Sequence, residues 1–195
     1  MIEKCTTKSW ETSLYEPQKL YYNLMGEKIL TDKNVKSAYY MAKHKKSCDS
    51  PAWDGMTRTI LVDGMEPEHA WSLIRYHVLH GPSGCVKRFD IPKSNGKTRP
   101  ISIYPLLDRV AQWCIMEPLR KACGPLLSPI NHAFLKGKSC KTAFEAFPPA
   151  GEASYVICGD IHSFFDTVSH SLVRACLWSA GIRDSQLLHL SLIHI

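Results

Sequence analysis

The sequence contains no apolar run long enough to cross a membrane. Its first residues, "MIEKCTTKSWETSLYEP", are polar and lack the apolar stretch of a signal peptide. Both absences predict a cytoplasmic protein that does not use a membrane as a partner. The 195 residues also lack an internal repeat and a low-complexity segment, which favours one sizeable core, or one domain with an extension.

Closely spaced cysteine pairs are missing as well. Eight cysteines are present, but no two of them form the CxxC pair that zinc sites commonly use. Cys114, Cys158 and Cys176 occur within apolar patterns and are predicted to be buried free thiols. A polar helix end explains His77 and His80 in "HVLH" more simply than a metal ion does. This pattern predicts no zinc site.

Basic residues are in excess and unevenly distributed. The formal net charge is +6, and the isoelectric point is near 8.9. Five basic residues and one acid lie between positions 87 and 99, and Lys136, Lys138 and Lys141 form a second basic cluster. A solvated face is the simplest explanation of such clusters, and a polyanionic partner is the alternative.

The first third of the chain has helical periodicity. Residues 17–46 predict two helices that are separated near Thr31, a favourable N-cap residue. Proline, aspartate and glycine make residues 47–57 a loop. A further helix is predicted from Pro67 to about Leu79, because proline favours the first helical turn and Gly81 follows the end.

The pattern then changes to strands. "CVKRFDIP" and "KTRPISIY" predict a β-hairpin, because "KSNG" between them contains the turn pair Asn-Gly. Residues 106–123 form an amphipathic helix that Pro118 should kink or split. Ser139 is predicted to cap a short helix, "SYVICGD" to be a core strand, and Ser169 to begin a helix that ends at Gly181. This order of elements indicates an α+β fold.

The stretch "YVICGDIHSFFDTVSH" places Asp160 at the end of the predicted core strand. A carboxylate at that position can hold a hard cation such as Mg²⁺, which takes one or two carboxylates together with substrate phosphates. The alternative is that Asp160 merely ends the strand, with Phe164 and Phe165 in the core.

Three blocks in order, "IPKSNGKTRPISIYPLLDRVAQ", "SPINHAFLKGKS" and "YVICGDIHSFFDTVSH", resemble the reverse transcriptases encoded by group II introns. The resemblance extends over residues 23–188, and "SPAWDGMT" resembles the N-terminal extension of that family. Retron and diversity-generating reverse transcriptases share the third block but match "DGMT" and "GKTRP" less well. The resemblance implies a right-hand polymerase fold, with the hairpin in the fingers and the third block at the first palm strand.

The resemblance also implies roles for single residues. Asp160 would be catalytic and would bind both Mg²⁺ ions, with the Ile161 carbonyl as a further ligand. Lys93 and Arg99 would bind the nucleotide triphosphate, and Phe165 would exclude a 2′-hydroxyl. The residues implied in RNA binding are Lys87, Arg88, Lys97, Lys136, Lys138 and Lys141. Asp166 is expected to organise the turn after the strand rather than to bind metal.

Other features of the family are not found in the sequence. The family supplies two further carboxylates from a "YADD"-type hairpin, which this sequence lacks. Leu135, Lys136, Ser102 and Tyr104 also differ from the residues usual in the family, which leaves the details of RNA contact open. We therefore expect an incomplete reverse transcriptase that is inactive alone, with an N-terminal extension at 1–57 and a fingers and partial palm domain at 58–195. The terminal "LSLIHI" is either a native apolar helix end or adapter-derived sequence.

The intact parent would copy an RNA template into DNA from a DNA primer with dNTPs, and would also bind intron RNA. A non-catalytic RNA-binding maturase is the first alternative, and a metal-dependent phosphohydrolase that uses Asp160 and Asp166 is the second. The sequence does not indicate an oligomeric state.

Overall fold

The computed structural model describes residues 19–81, 86–94, 96–147, 155, 157–162 and 164–193, apart from the side chains of 165, 166 and 191–193. Two strands form one antiparallel hairpin, and the other regular elements are helical. The α-helices are α1 (Asp32–His44), α2 (Arg58–Val62), α3 (Pro67–His80), α4 (Leu106–Cys123), α5 (Cys140–Glu145), α6 (Phe164–Thr167), α7 (His170–Ser179) and α8 (Ser185–Ile193). The strands are β1 (Lys87–Pro92) and β2 (Thr98–Ile103). This mixture confirms the α+β class.

Helix α1 begins where the sequence predicted a break. A short π-helical turn, Met25–Ile29, precedes it, and the Thr31 hydroxyl accepts a hydrogen bond from the Asn34 backbone N–H at 3.4 Å. One face of α1 is buried, and its residues are Val35, Ala38, Tyr39 and Ala42. These side chains bring α1 against α3 and α4.

Helix α4 is the longest helix in the described part of the chain and has the bounds that the sequence predicted. Its apolar stripe is buried and consists of Leu107, Val110, Ala111, Cys114 and Ile115. Pro118 does not split the helix, which continues to Cys123. Proline lacks an N–H and leaves the carbonyl four residues earlier without its helical donor. That carbonyl, of Cys114, instead accepts a hydrogen bond from the Asn34 side-chain amide at 2.8 Å.

The two ends of the described chain are joined by backbone hydrogen bonds. Tyr21 pairs with Ile182 in a parallel bridge, in which the Tyr21 N–H donates to the Gly181 carbonyl at 2.9 Å. Asp184 is buried, and its carboxylate accepts from the backbone N–H groups of Met25 at 2.8 Å and Leu187 at 3.1 Å. Asp184 therefore caps α8. It also provides a hydrogen-bond acceptor for the Met25 N–H, at the start of the π-helical turn.

One hydrophobic core contains residues from before and after position 57. It extends from Leu24 to Leu190 and includes side chains of α1, α3, α4 and α8. The division at residue 57 remains a prediction. No helix among the described residues has the length and apolar character needed to cross a membrane.

The predicted core strand near Asp160 is wrong for the described residues. Residues 155 and 157–160 are irregular, and the side chains of Tyr155 and Ile157 are 90% and 95% exposed. A strand needs a neighbouring strand for its backbone hydrogen bonds, and apart from the isolated Tyr21–Ile182 bridge the described residues contain no strand pairing other than β1 with β2. Phe164, for which burial in the core was one expectation from the sequence, is the first residue of α6 and is 47% exposed, so that expectation was wrong.

The cysteine predictions had mixed outcomes. Cys114 is a buried free thiol as predicted, and burial raises its pKa to about 12. Cys158 and Cys176 are free but exposed, so the prediction of burial was wrong for both. Cys158 lies on the exposed irregular segment described above. Cys176 lies on α7, in which none of the described residues is buried.

Candidate nucleic-acid interface and metal site

The hairpin has two faces of different composition. Opposite residues of an antiparallel pair share a face, and neighbours along a strand alternate. The register pairs Lys87 with Ile103, Phe89 with Ile101 and Ile91 with Arg99, so these six residues form one face, which we call the cationic face. The other face contains Arg88, Asp90, Pro92, Thr98, Pro100 and Ser102. Asp90, the only acid of the two described strands, therefore lies on the other face from Arg99.

The cationic face combines positive charge with exposed apolar surface. Phe89 and Ile91 are 41% and 44% exposed, and the exposed Arg99 is the cross-strand partner of Ile91. A surface of this composition suits binding of a nucleic acid. Its cations can contact phosphates, while its aromatic ring and aliphatic side chains can pack against bases and sugars. The predicted RNA-binding Lys87 and the predicted nucleotide-binding Arg99 share this face, whereas Arg88 is on the other.

The hairpin turn presents two further predicted residues. The Lys93 N–H donates to the Lys97 carbonyl at 2.6 Å, and the Gly96 N–H donates to the Lys93 carbonyl at 3.1 Å. Gly96 has a φ of 76°, a conformation that glycine adopts without strain. Lys93 and Lys97 are exposed at this end of the hairpin, beyond Arg99. Lys93, Lys97 and Arg99 thus lie at the same end of the hairpin, and their roles in binding nucleotide and RNA stay predictions.

The loop that contains "SPAWDGMT" is attached to both α4 and the hairpin. The Arg109 guanidinium donates to the backbone carbonyls of Ser47 at 2.8 Å and Ser50 at 3.3 Å. The Lys87 ammonium lies 5.6 Å from the centroid of the Trp53 ring, and this ring is 70% exposed. Sequence reasoning did not identify Arg109 or Trp53. The Arg109 contacts join residues about 60 positions apart, so no local pattern indicates them.

The second basic cluster lies on a turn and the start of α5. Ser139 caps α5 as predicted, since it accepts from the Thr142 N–H at 3.3 Å. Lys136, Lys138 and Lys141 are exposed. The Lys138 ammonium donates to the Pro129 carbonyl at 3.4 Å, and Lys141 pairs with Glu145 at 3.8 Å. Because Glu145 offsets part of this charge, the cationic face of the hairpin is the stronger candidate for a polyanion.

Asp160 lies on the exposed irregular segment before α6. Ile161 follows it with a side chain that is 65% exposed. The residues that the structure describes contain no group of three or more His, Cys, Asp or Glu placed to hold a metal ion. A carboxylate and a backbone carbonyl are nevertheless hard oxygen donors, so residues 160 and 161 fit part of a Mg²⁺ coordination sphere that substrate phosphates and water complete.

The backbone of Phe165 and Asp166 lies in α6, but their side chains fall outside the described part of the structure. The predicted role of Phe165 in excluding a 2′-hydroxyl and that of Asp166 in the turn therefore stay predictions.

Comparison with known proteins agrees with the architecture. The family model described as reverse transcriptase (RNA-dependent DNA polymerase) matches residues 91–193. This match begins in β1 and includes β2, α4, the segment of Asp160 and α8. It covers more than half of the chain.

Several curated relatives are similar to part of the chain. Protein YkfC of Escherichia coli (strain K12) is 30% identical over 136 residues, which are 66% of this chain and 35% of that protein. A 91 kDa protein in the cob intron of Schizosaccharomyces pombe is 30% identical over 105 residues, 53% of this chain and 13% of its own length. The group II intron-encoded protein LtrA of Lactococcus lactis is 31% identical over 87 residues, 44% of this chain and 14% of LtrA.

The aligned regions thus amount to about a third or less of the length of these relatives. The resemblance to group II intron proteins that the sequence motifs indicated is confirmed by the family match and by the names of these relatives. The chain belongs to the reverse transcriptase family, with group II intron-encoded proteins among its relatives.

Proposed function

We propose that the complete protein carrying this chain is an RNA-directed DNA polymerase of group II intron type. It would copy an RNA template into DNA by extending a DNA primer with dNTPs. The observation that carries the proposal is the family match over residues 91–193, which includes Asp160 and, from the hairpin, Lys93 and Arg99.

In this proposal the hairpin binds the incoming nucleotide. Arg99 and Lys93 contact its triphosphate. A guanidinium can donate two hydrogen bonds to phosphate oxygens, and both cations offset the negative charge that develops during nucleotidyl transfer. The rest of the cationic face, together with Lys97, contacts template RNA through its phosphates. The hairpin is a separate two-stranded unit with exposed faces, which suits a part that lies over a bound nucleic acid.

Asp160 and the Ile161 carbonyl would hold the Mg²⁺ ions. Bound Mg²⁺ stabilises negative charge on the attacking and leaving oxygens of a phosphoryl transfer. Phe165, five residues after Asp160, would lie beneath the sugar of the nucleotide and leave no room for a 2′-hydroxyl. Asp166 would organise the turn into α6.

Binding of intron RNA is the second part of the proposal, and the name of the relative LtrA supports it. The second basic cluster and the cationic face provide positive surface for such an RNA. A protein that bound intron RNA without polymerising would be the maturase alternative.

The experiment that tests the proposal is primer extension by the complete gene product. An RNA template with an annealed DNA primer is incubated with dNTPs and Mg²⁺, and the products are separated by length. We expect template-dependent DNA products that disappear when Mg²⁺ is chelated. RNA binding without any extension would instead support the non-catalytic maturase.

A further inference from the structure

Helices α7 and α8 enclose a pocket of about 300 Å³. This volume is at the lower end of the range for small-molecule sites. The lining residues are Arg174, Trp178, Arg183, Ser185, Leu188 and His189. Two guanidinium groups and an imidazole therefore face one cavity, and the lining contains no carboxylate. None of the residues that the sequence or the resemblance singled out lies in it.

The Arg183 side chain is held in a fixed position. Its guanidinium carbon lies 3.9 Å from the centroid of the Trp178 ring. The same group donates to the carbonyl oxygens of Trp178 and Ile182, the latter at 3.2 Å. An arginine that is stacked and hydrogen-bonded loses less side-chain entropy when it binds a ligand, so it is preorganised for an anion.

The nearest acid in the sequence does not line the pocket. Asp184 is only 5% exposed, and its two oxygens accept hydrogen bonds from the backbone N–H groups of Met25 and Leu187. It therefore points into the interior, whereas Arg174 and His189 are exposed at the cavity. Because the Asp184 carboxylate points away, the concave surface has positive charge only and attracts anions.

Trp178 adds an aromatic surface beside the cations. Its side chain is 53% exposed, although burying a tryptophan in a core is favourable. An exposed ring next to two arginines is typical of surfaces that bind single-stranded nucleic acid, because bases stack on rings while cations contact the phosphates. A phosphate without a base would make no use of the ring.

We propose that this pocket binds a phosphate of single-stranded RNA, with an adjacent unpaired base against Trp178. Arg174 and Arg183 contact the phosphate, and His189 adds a hydrogen bond. The inference rests on the proposed RNA-binding function, but it assigns RNA to a site distinct from the hairpin and the Asp160 segment.

The test measures binding of a short fluorescent single-stranded RNA of mixed sequence to the chain by fluorescence anisotropy. Arg174→Gln is the main variant, because Arg174 is exposed and its replacement should leave the fold intact. Arg120→Gln is the matched control, since it removes the same charge from an exposed position on α4. We expect Arg174→Gln to weaken binding severalfold and to lower the salt slope by about 0.7 per lost phosphate contact. The control should change both quantities less.

Photocrosslinking gives a second readout that does not depend on a variant. RNA that contains 4-thiouridine is irradiated with the wild-type chain, and tryptic peptides are identified by mass spectrometry. A crosslink on residues 175–183, the peptide that contains Trp178, is expected. Competition with AMP distinguishes the sources of phosphate: full displacement of the RNA from this peptide by AMP would assign the pocket to free nucleotides and overturn the proposal.

Equal effects of Arg174→Gln and Arg120→Gln, with no crosslink on residues 175–183, would also overturn it. If Arg99→Gln weakened RNA binding in that case, the proposed function would stand and only the pocket would be rejected. Conversely, a specific effect of Arg174→Gln in a protein whose parent does not extend primers would support the pocket and reject the polymerase proposal.

Discussion

The Asn34 side-chain amide donates a hydrogen bond of 2.8 Å to the Cys114 carbonyl, the carbonyl that Pro118 leaves without its helical donor. The same amide donates to the Ile29 carbonyl, also at 2.8 Å. One side chain thus connects the end of the π-helical turn, the start of α1 and the middle of α4. This contact explains how α4 continues through a proline in its buried section.

Asn34→Ala should therefore destabilise the protein. Two partly buried carbonyls would lose their donor, at a cost of about 1–3 kcal/mol. Urea unfolding followed by circular dichroism measures this free energy. In a Pro118→Ala background the residue at 118 regains its N–H, so the cost of Asn34→Ala should fall by about 1 kcal/mol. Additive effects of the two substitutions would show that Asn34 does not replace the missing donor.

Cysteine reactivity should follow burial and pKa. Burial raises the pKa of Cys114 to about 12, and the thiolate is the reactive form. Cys140, Cys158 and Cys176 are exposed and should react with iodoacetamide at neutral pH, whereas Cys114 should not. At pH 9 Cys114 should still be protected, because its pKa in the folded protein lies above that pH. Peptide mass spectrometry reads each site, and early labelling of Cys114 would contradict the packing of α4.

The stability of the fold should also fall at high pH because of Cys114. Its folded pKa lies above the value of 9.0 for an unperturbed thiol. The unfolded chain therefore loses its proton first, and the contribution present below pH 9 is lost as the pH rises towards 12. Cys114→Ala leaves a cavity but no ionisable group, so its unfolding free energy should decline less between these pH values. A parallel decline in both proteins would contradict the assignment.

Local patterns predicted the regular elements of this fold well. The bounds of α4 follow from an unbroken apolar stripe, and the hairpin follows from its turn residues, of which Gly96 has a positive φ. The cap at Thr31 follows from residue type alone. Each of these features depends on residues within a few positions of one another, so local sequence patterns are enough to predict it.

Long-range features could not be predicted in this way. Asp184 and Met25 are 159 positions apart, and the hydrogen bond between them leaves no periodic trace. At residues 155–160 the sequence instead predicted an element that the structure does not contain among its described residues. The apolar, β-branched residues there predicted a core strand, but residue type does not provide the partner strand that burial requires. The pocket of α7 and α8 was missed because its cations are spread over 16 positions.

RNA binding by the hairpin should depend on the face that a cation occupies. Arg99→Gln and Arg88→Gln remove the same charge from opposite faces. We expect Arg99→Gln to weaken binding of single-stranded RNA more, because Asp90 lies on the same face as Arg88 and a carboxylate there repels phosphates. Anisotropy titrations at low and moderate salt measure the difference, and affinity itself should fall steeply with salt. Equal losses in the two variants would show that only net charge matters.

Phe165→Ala in the complete gene product should admit ribonucleotides, because in the proposed site removing the ring would open the space beneath the sugar. Use of dNTPs should decline only modestly. Phe164→Ala is the control, since Phe164 is 47% exposed and has no proposed contact with the sugar. Single-nucleotide incorporation of an rNTP and of the matching dNTP measures the selectivity. Relaxed selectivity in the Phe164 variant alone would show that the two rings are assigned wrongly.

The central claim is that Asp160 supports metal-dependent DNA synthesis on an RNA template. The most direct measurement is primer extension by the complete gene product with Asp160→Asn, beside Asp166→Asn as the neighbouring comparison. Asparagine keeps the size of the side chain but removes the charge that we propose holds Mg²⁺. We predict that Asp160→Asn abolishes extension while RNA binding is retained, and that Asp166→Asn keeps most of the activity. Extension by the Asp160→Asn protein at close to the wild-type rate would contradict the account.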